Sequence, residues 1–369
     1  MSTCNSRIID WVQCLFYDHC IMKKTIKIIL GLVFIAVLIP ALLIAWATFT
    51  DYRPGPETII SAAPDAPCIP KTKTYTLLTW NLGYAGLSQD MDFFYDGGRQ
   101  VRPSEDIVRQ NLSAIRQFLA GRTDADFFLL QEVDKNSKRS YSIDEVSEIA
   151  GQFPDFKPFF AKNYDVFFVP VPPSNPLGHV LSGLLTLSRF EPETVVRHSF
   201  PGNYSWPQGL FMLDRCFMTA RYRLESGRQL LIINTHNSAY DNGSLRKQQM
   251  QFLKNFLVNE YKKGNYVLVG GDWNQCPPEF SPEFRHNLMD NENRMNIDTN
   301  YLPGWKWAYD KTVPTNRRVK TPYDPKTCLT TTIDFFLVSP NINVKKVQGI
   351  HLDFEHSDHN PVKLEMQLN

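Results

Sequence analysis

Polar groups that can hold a metal or move a proton recur in this chain directly after short apolar runs. Val267-Leu-Val-Gly-Gly-Asp-Trp-Asn274 places a carboxylate, Asp272, and a carboxamide, Asn274, at alternate positions behind a Gly270-Gly271 pair. If strand geometry persists to the end of the run, both side chains point to one face. The glycines let another backbone, or a ligand, come close. A carboxylate beside an amide donor suits a site that orients a water while gripping a phosphoryl oxygen, although a buried Asp and Asn closing a turn look the same. Other runs end alike: Asn81 after Leu-Leu-Thr-Trp, Glu132 after Leu-Leu-Gln, His236 after Ile-Ile-Asn-Thr, Asp334 within Thr-Ile-Asp-Phe-Phe, and Ser357-Asp-His359. Packing alone does not explain oxygen and imidazole groups at so many strand ends.

Such positions require strands that end together. Strand-like runs occur at 75–82, 126–131, 183–187, 217–222, 229–234, 266–269, 332–338 and 362–368. Helical patterns occupy 104–120, with Val108, Leu112, Ile115 and Leu119 on one face, 142–152, and 244–261, where Met250, Leu253 and Leu257 gather as core. Ser142 and Glu145 read as a capping box for the second. Few crossover helices separate the strands. The expectation is an α/β fold of two packed mixed or antiparallel β-sheets flanked by helices, a four-layer sandwich rather than a doubly wound parallel sheet.

The composition is globular, 43% hydrophobic and 21% charged, with no internal repeat. Residues 1–50 hold Arg7, Lys23, Lys24 and Lys27 against Asp10 and Asp18, which leaves 35 basic and 36 acidic residues downstream, a net of −1. That is not the basic footprint of a tight nucleic-acid binder. Residues 28–49 are uncharged and long enough to cross a bilayer as a transmembrane helix. Lysines 23, 24 and 27 precede them, so the positive-inside rule puts residues 1–27 in the cytoplasm and the rest outside. The expectation is a single-pass bacterial membrane protein with a periplasmic or extracellular catalytic domain. Met22-Lys-Lys-Thr-Ile-Lys also reads as the start of an export signal, and Ala45-Trp-Ala47 as a cleavage site; the length of the apolar run favours a retained anchor. Residues 50–73, with prolines at 54, 56, 64, 67 and 70, read as an extended linker to a catalytic domain over 74–369. Cys68, Cys216, Cys276 and Cys328 fall on the exported side, where they can pair in three ways, and none sits at metal-site spacing.

The set Trp-Asn81, Gln-Glu132, Asn-Thr-His236, Gly-Asp272-Trp-Asn274, Ile-Asp334 and Ser-Asp358-His359-Asn-Pro-Val resembles the endonuclease/exonuclease/phosphatase superfamily. That superfamily includes pancreatic-type deoxyribonucleases, AP endonucleases, inositol polyphosphate 5-phosphatases and neutral sphingomyelinases. The resemblance covers nearly all of residues 75–368 in the family's order, and implies a site at one edge of two packed sheets. It implies that Glu132 anchors Mg2+, with Mn2+ as a substitute, since a hard cation takes few protein oxygens and keeps waters. Asn81 and Asp358 resemble additional metal or metal-water ligands. His359 with Asp334 resembles the family's His-Asp couple at the attacking side, either removing the water's proton or stabilising phosphoryl charge. Asp272 competes to orient or deprotonate that water. Asn274 and His236 would hold non-bridging oxygens, and His236 is also placed to protonate the leaving oxygen. Histidines 179, 198, 286, 351 and 356 lack such a context and read as structural or exposed.

The segment after His236, Asn-Ser-Ala-Tyr-Asp-Asn-Gly-Ser-Leu-Arg-Lys-Gln-Gln with Arg246 and Gln249, resembles exported or anchored bacterial members of the sphingomyelinase branch. No cluster of Arg or Lys suited to an inositol polyphosphate is evident. Three insertions rich in apolar and aromatic residues, 166–173, 200–206 and 301–307, suit a lipid headgroup phosphodiester at a bilayer surface, or loops packed on the core, or stacking on a nucleobase. The leading expectation is a Mg2+-dependent, sphingomyelinase-like phosphodiesterase acting by metal-assisted water attack. An exported nuclease with a nucleic-acid substrate is the alternative. A catalytically silent binding domain is disfavoured because no motif position is degraded.

Overall fold

The computed structural model describes residues 3–239, 241, 243–284 and 295–369, with the backbone alone for 3–21. Tyr240, Asn242 and residues 285–294, His286 among them, lie outside the described residues. The chain divides into two compact units, 1–51 and 52–369.

The first unit is helix α1 (Thr3–Thr50), with Pro40 inside it. Its segment Met22–Thr50 is long and apolar enough to cross a membrane, by length and composition.

The second unit runs β1 (Glu57–Ala62), β2 (Thr74–Asn81), α2 (Glu105–Ala120), β3 (Phe127–Asp134), α3 (Glu145–Ala150), β4 (Lys157–Val169), β5 (Gly178–Ser188), β6 (Thr194–Ser199), β7 (Cys216–Arg223) and β8 (Gln229–His236). It continues through α4 (Ser244–Lys262), β9 (Tyr266–Asp272), β10 (Lys306–Ala308), β11 (Asn316–Arg317), β12 (Thr330–Thr331), β13 (Asp334–Val338), β14 (Ile342–Gly349) and β15 (Val362–Leu368). One sheet has seven strands in the order β1-β6-β7-β8-β9-β13-β10, the other six in the order β14-β15-β2-β3-β5-β4, and β11-β12 form a ribbon.

Alternation along the central strands builds the layers. Leu77 and Leu129 turn inward to meet Met218, Leu230, Ile232, Leu268 and Phe336 of the facing sheet. Their neighbours Leu78, Trp80, Phe128 and Leu130 turn outward under Val108, Leu112, Ile115 and Leu119 of α2. On the far side Leu231, Ile233, Val267 and Val269 carry Met250, Leu253 and Leu257 of α4. The result is the four-layer arrangement expected. Only two neighbouring pairs of strands among the described residues are parallel within these sheets, β2-β3 and β8-β9, bridged by α2 and α4 respectively.

Four expectations need correction. The stretch read as linker carries β1, which pairs antiparallel with β6 and packs Ile60 against the inter-sheet core; the prolines bound this β-branched run rather than fill it. α3 is capped by Asp144, whose carboxylate accepts from Ser147 N at 2.9 Å, while Ser142 lies in a left-handed turn and Glu145 accepts from Asp134 N. The insertion at 166–173 begins as strand, because β4 runs to Val169 through two register shifts that blur its alternation. Cys68, Cys216 and Cys328 are free thiols, so none of the three double pairings forms; Cys276 Sγ meets Thr331 Oγ1 at 3.1 Å.

Candidate active site

Asn81, Glu132, His236 and Asp272 leave the C-terminal ends of the two parallel strand pairs, and they meet. Asn81 Nδ2 donates to Glu132 Oε1 at 3.1 Å and to Asp272 Oδ2 at 3.0 Å, while Asn81 Oδ1 accepts from Gly83 N at 3.0 Å. Because Asn81 and Asp272 belong to different sheets, one amide ties the two sheets together at the site.

Glu132 reaches the site through a fault in its strand. The β3-β5 register breaks between Leu130 and Val133, and Glu132 takes a φ of +51°. That backbone costs a non-glycine residue about 1–2 kcal/mol, and such bulges re-aim side chains beside active sites.

Asp272 and Asn274 both line the cavity, but not by strand alternation. β9 ends at Asp272, Asn274 has a φ of +49°, and Asp272 Oδ1 accepts from Asn274 N at 2.8 Å, so a tight turn presents the pair. The glycines before them serve backbone packing rather than a ligand. A Cβ on Gly271 would lie 2.0 Å from Thr235 O, and one on Gly270 would strike Phe336 and Leu129.

His359 is held on every side. Its Nδ1 lies 2.7 Å from Asp334 Oδ2, its backbone N donates to Ser357 Oγ, and its carbonyl accepts from Trp80 Nε1 at 2.8 Å. Nε2 faces Asp272 Oδ2 at 3.9 Å and the side-chain amide of Asn316 at 3.0 Å. Burial alone would depress this imidazole, but Asp334, Asp358 and Asp272 together push it up to about 10. His236 is the opposite case. Its Nε2 is 3.5 Å from Asp272 Oδ2 and 3.8 Å from Glu132 Oε1, yet burial, reinforced by Arg215 and His359, holds its pKa well below the usual histidine range. The surroundings favour the charged form of one ring and the neutral form of the other.

The carboxylates lean the other way. Burial, then the charge of Asp334, pushes Asp272 up to about 7. Burial also pushes Asp358 up to about 7, with Glu132 adding to it against the pull of His359. Asp358 Oδ1 is buried without a hydrogen-bond partner among the described residues, and a Cβ on Gly83 would come within 2.8 Å of it. An orphaned carboxylate oxygen facing a second carboxylate fits a hard divalent cation bound by oxygens. Asp272, Asp334 and His359 also present ligand atoms within 4.8 Å of one another. There the imidazole nitrogen nearest Asp334 is already hydrogen bonded, whereas Asp358 keeps a carboxylate oxygen without a hydrogen-bond partner among the described residues.

All the sequence-predicted residues therefore converge at one edge of the two sheets. Around them lies a cavity of about 1000 Å³. Its lining also includes apolar residues, Val169, Val171, Leu177, Phe211 and Leu213. Gly202, Asn203 and Tyr204 of the second aromatic insertion line it too, but 301–307 is not in its lining: Trp307, partly buried, packs against the core on Trp273 and Phe335 at 5.5 and 5.7 Å. Arg246 and Gln249 brace the loop after His236, Arg246 through Asp241 and the Asn274 carbonyl and Gln249 through Ser238. Tyr240 and Asn242 of that loop are outside the described residues. Sequence reading missed Asn316 and Arg215. The first sits in a two-residue strand within turns and the second precedes a strand instead of ending one, so neither carries the recurring signal.

The sequence matches the model of the Endonuclease/Exonuclease/phosphatase family over residues 78–359. Among curated protein sequences none is significantly similar. Solved structures that resemble it include an endonuclease/exonuclease/phosphatase from Beutenbergia cavernae DSM 12333, at 16% identity and a TM-score of 0.52, covering 80% of this chain and 72% of that one. Another is an endonuclease/exonuclease/phosphatase family protein from Bacteroides thetaiotaomicron, at 15% identity and a TM-score of 0.51, with 80% and 96% covered. The human Nocturnin catalytic domain with bound sulfate anion shares 15% identity at a TM-score of 0.51, with 84% and 100% covered. At these identities the likeness is one of fold. The family match takes in most of the catalytic unit, and by it the chain belongs to the Endonuclease/Exonuclease/phosphatase family, whose members are typically phosphoric ester hydrolases that use divalent metal ions.

Proposed function

We propose that this protein is a Mg2+-dependent phosphodiesterase of the sphingomyelinase-like type, anchored in a bacterial membrane with its catalytic unit outside. The observation that carries the hydrolytic reading is the single amide of Asn81 bridging Glu132 and Asp272, with an imidazolium-carboxylate pair and a neutral imidazole around them. Glu132, Asp358 and Asn81 would hold the cation, which when bound offsets charge on the phosphoryl oxygens.

Asp272, raised to about 7, orients a water and takes its proton as the water oxygen bonds to phosphorus and the ester bond to the leaving oxygen breaks. His359, kept cationic by Asp334, then donates from Nε2 to a phosphoryl oxygen and stabilises charge rather than acting as the base. Asn274 and the neutral His236 hold non-bridging oxygens as hydrogen-bond donors. Its depressed pKa leaves His236 poorly suited to deliver a proton, so the leaving oxygen takes its proton from solvent.

The lipid assignment rests on the apolar residues that line the cavity and on large exposed apolar side chains, Val171 (37%) and Tyr95 (46%) in its lining and Phe167 (60%) and Trp206 (65%) two positions along the chain from the lining residues Val169 and Tyr204. The apolar helix Met22–Thr50 supports a membrane setting. The same aromatic groups suit a stacked nucleobase, which keeps an exported nuclease as the second reading. The test is the full chain in detergent, assayed with Mg2+ on sphingomyelin, ceramide phosphoethanolamine, plasmid DNA and a simple aryl phosphodiester. Turnover of the lipids is expected; turnover of DNA alone removes the lipid assignment, and inertness towards all four leaves only a binding domain.

A further inference from the structure

Two neutral side chains in the cavity lining, Tyr84 and Asn163, are each 1% exposed, and each carries a donor without a hydrogen-bond partner among the described residues: the Tyr84 hydroxyl and Asn163 Nδ2. Groups buried this deeply normally find an acceptor. Neither residue has a part in the site as described.

The backbone is built to hold both. Tyr84 takes the left-handed conformation (φ +43°, ψ +38°), rare for a non-glycine residue, and Gly86 clears its ring, since a Cβ there would lie 2.5 Å from Tyr84 Cε2. Asn163 falls where the β4-β5 register shifts between Lys162 and Tyr164. Such faults re-aim side chains. Arg139 joins the two positions: its guanidinium stands 3.7 Å over the Tyr84 ring centroid and 5.8 Å from that of Tyr164, the neighbour of Asn163. Asp134 neutralises that cation through two hydrogen bonds. Burial, opposed by Arg139 and reinforced by Glu132 and Asp358, holds the Tyr84 phenol well above its usual range, so it stays a hydroxyl.

The Tyr84 end of this pair therefore feels the charge of Glu132 and Asp358, while the Asn163 end adjoins Tyr164, which clusters with the apolar lining residues Val169 and Leu177. A hydroxyl and a carboxamide N–H beside a neutralised arginine suit a neutral acceptor oxygen, a hydroxyl or an amide carbonyl, rather than a second charged group.

We propose that Tyr84 and Asn163 form a specificity subsite that binds a hydroxyl or amide oxygen carried on the neutral group next to the substrate's phosphate. This rests on the phosphodiesterase reading above and deepens it: a ceramide phosphoester carries both kinds of oxygen, and a simple aryl diester carries neither.

The probes are glycerol 3-phosphate and propyl phosphate, alike in charge and carbon skeleton but different by two hydroxyls, titrated calorimetrically into the full chain in detergent with Mg2+. Wild type should bind the glycerol ester roughly tenfold tighter, about the effect of one or two hydrogen bonds. Tyr84→Phe and Asn163→Leu should each shrink that ratio to roughly threefold or less, and the double variant should bring it to about one. A role in packing alone would weaken both esters alike and leave the ratio where it was. A wild-type ratio near one, or a ratio that survives in the double variant, overturns the proposal. Should a variant fail to fold, wild-type crystals soaked in Mg2+ and glycerol 3-phosphate decide: a ligand hydroxyl within hydrogen-bond distance of the Tyr84 hydroxyl or the Asn163 amide supports it, and hydroxyls directed away from both refute it. A ratio that depends on these residues without turnover of any ester would sink the enzyme reading alone, whereas ester turnover with a ratio near one would sink this subsite alone.

Discussion

Two histidines of similar burial are pushed in opposite directions because one has a carboxylate on its ring and the other has none in hydrogen-bond contact. That contrast assigns roles that residue type alone left open. Asp272→Asn should lower kcat by about 10²–10⁴-fold with little change in melting temperature, since it removes the proton acceptor but keeps the shape. His359→Ala should cost about 10²–10³-fold. Glu132→Gln should abolish the rise in melting temperature that Mg2+ confers on the wild-type chain; a Mg2+-induced shift that survives would move the cation elsewhere. Most of the site residues were legible because each follows an apolar run, a pattern chain connectivity imposes when a site is built from strand ends. Arg215 reaches the cavity from a loop and Asn316 from a two-residue strand, and the pairing of Asn81 with two carboxylates joins residues 51 and 191 positions away. Nothing local encodes such contacts.

The elements position these groups through departures from regular strand. Gly271 has a φ of +147° and its Hα points at Thr235 O, so Gly271→Ala should destabilise by more than about 3 kcal/mol, read as a collapse of the thermal transition. Strand β1 shields the edge of β6. A chain starting at residue 52 should melt like the full-length catalytic unit, whereas one starting at residue 64 should melt on the order of 5–10 °C lower and aggregate. His198 at that edge is buried against Phe217, with Glu57 Oε1 3.1 Å from Nδ1, and burial pushes it down to about 4. An unfolded histidine titrates near 6.5, so the unfolded chain binds the extra proton between these values. Stability should therefore fall as pH drops from about 6.5 to about 4, and His198→Phe should flatten that limb, as measured by thermal melts across pH. Alternating runs made the central strands and helix faces readable in advance. β1 and β4 were not, because prolines in the first case and register shifts in the second hide the period.

The whole molecule combines an apolar N-terminal helix with a cavity lined by both charged and apolar side chains. If substrate is drawn from a bilayer, Trp206→Ala and Phe167→Ala should reduce turnover of vesicle-borne sphingomyelin while leaving a soluble aryl phosphodiester unaffected. Equal losses on both substrates would point to disturbed structure instead. Protease added to spheroplasts should digest the catalytic unit, and complete protection would reverse the proposed topology. Fold class was the most legible property, since strand alternation and helix faces repeat over hundreds of residues; substrate was the least, since it depends on loops whose packing no period records. The most direct measurement of the central claim is hydrolysis of a phosphodiester by the full chain with Mg2+, with EDTA, and with His359→Ala. The account predicts turnover that EDTA abolishes and that His359→Ala reduces by about 10²-fold or more; turnover indifferent to both would contradict it.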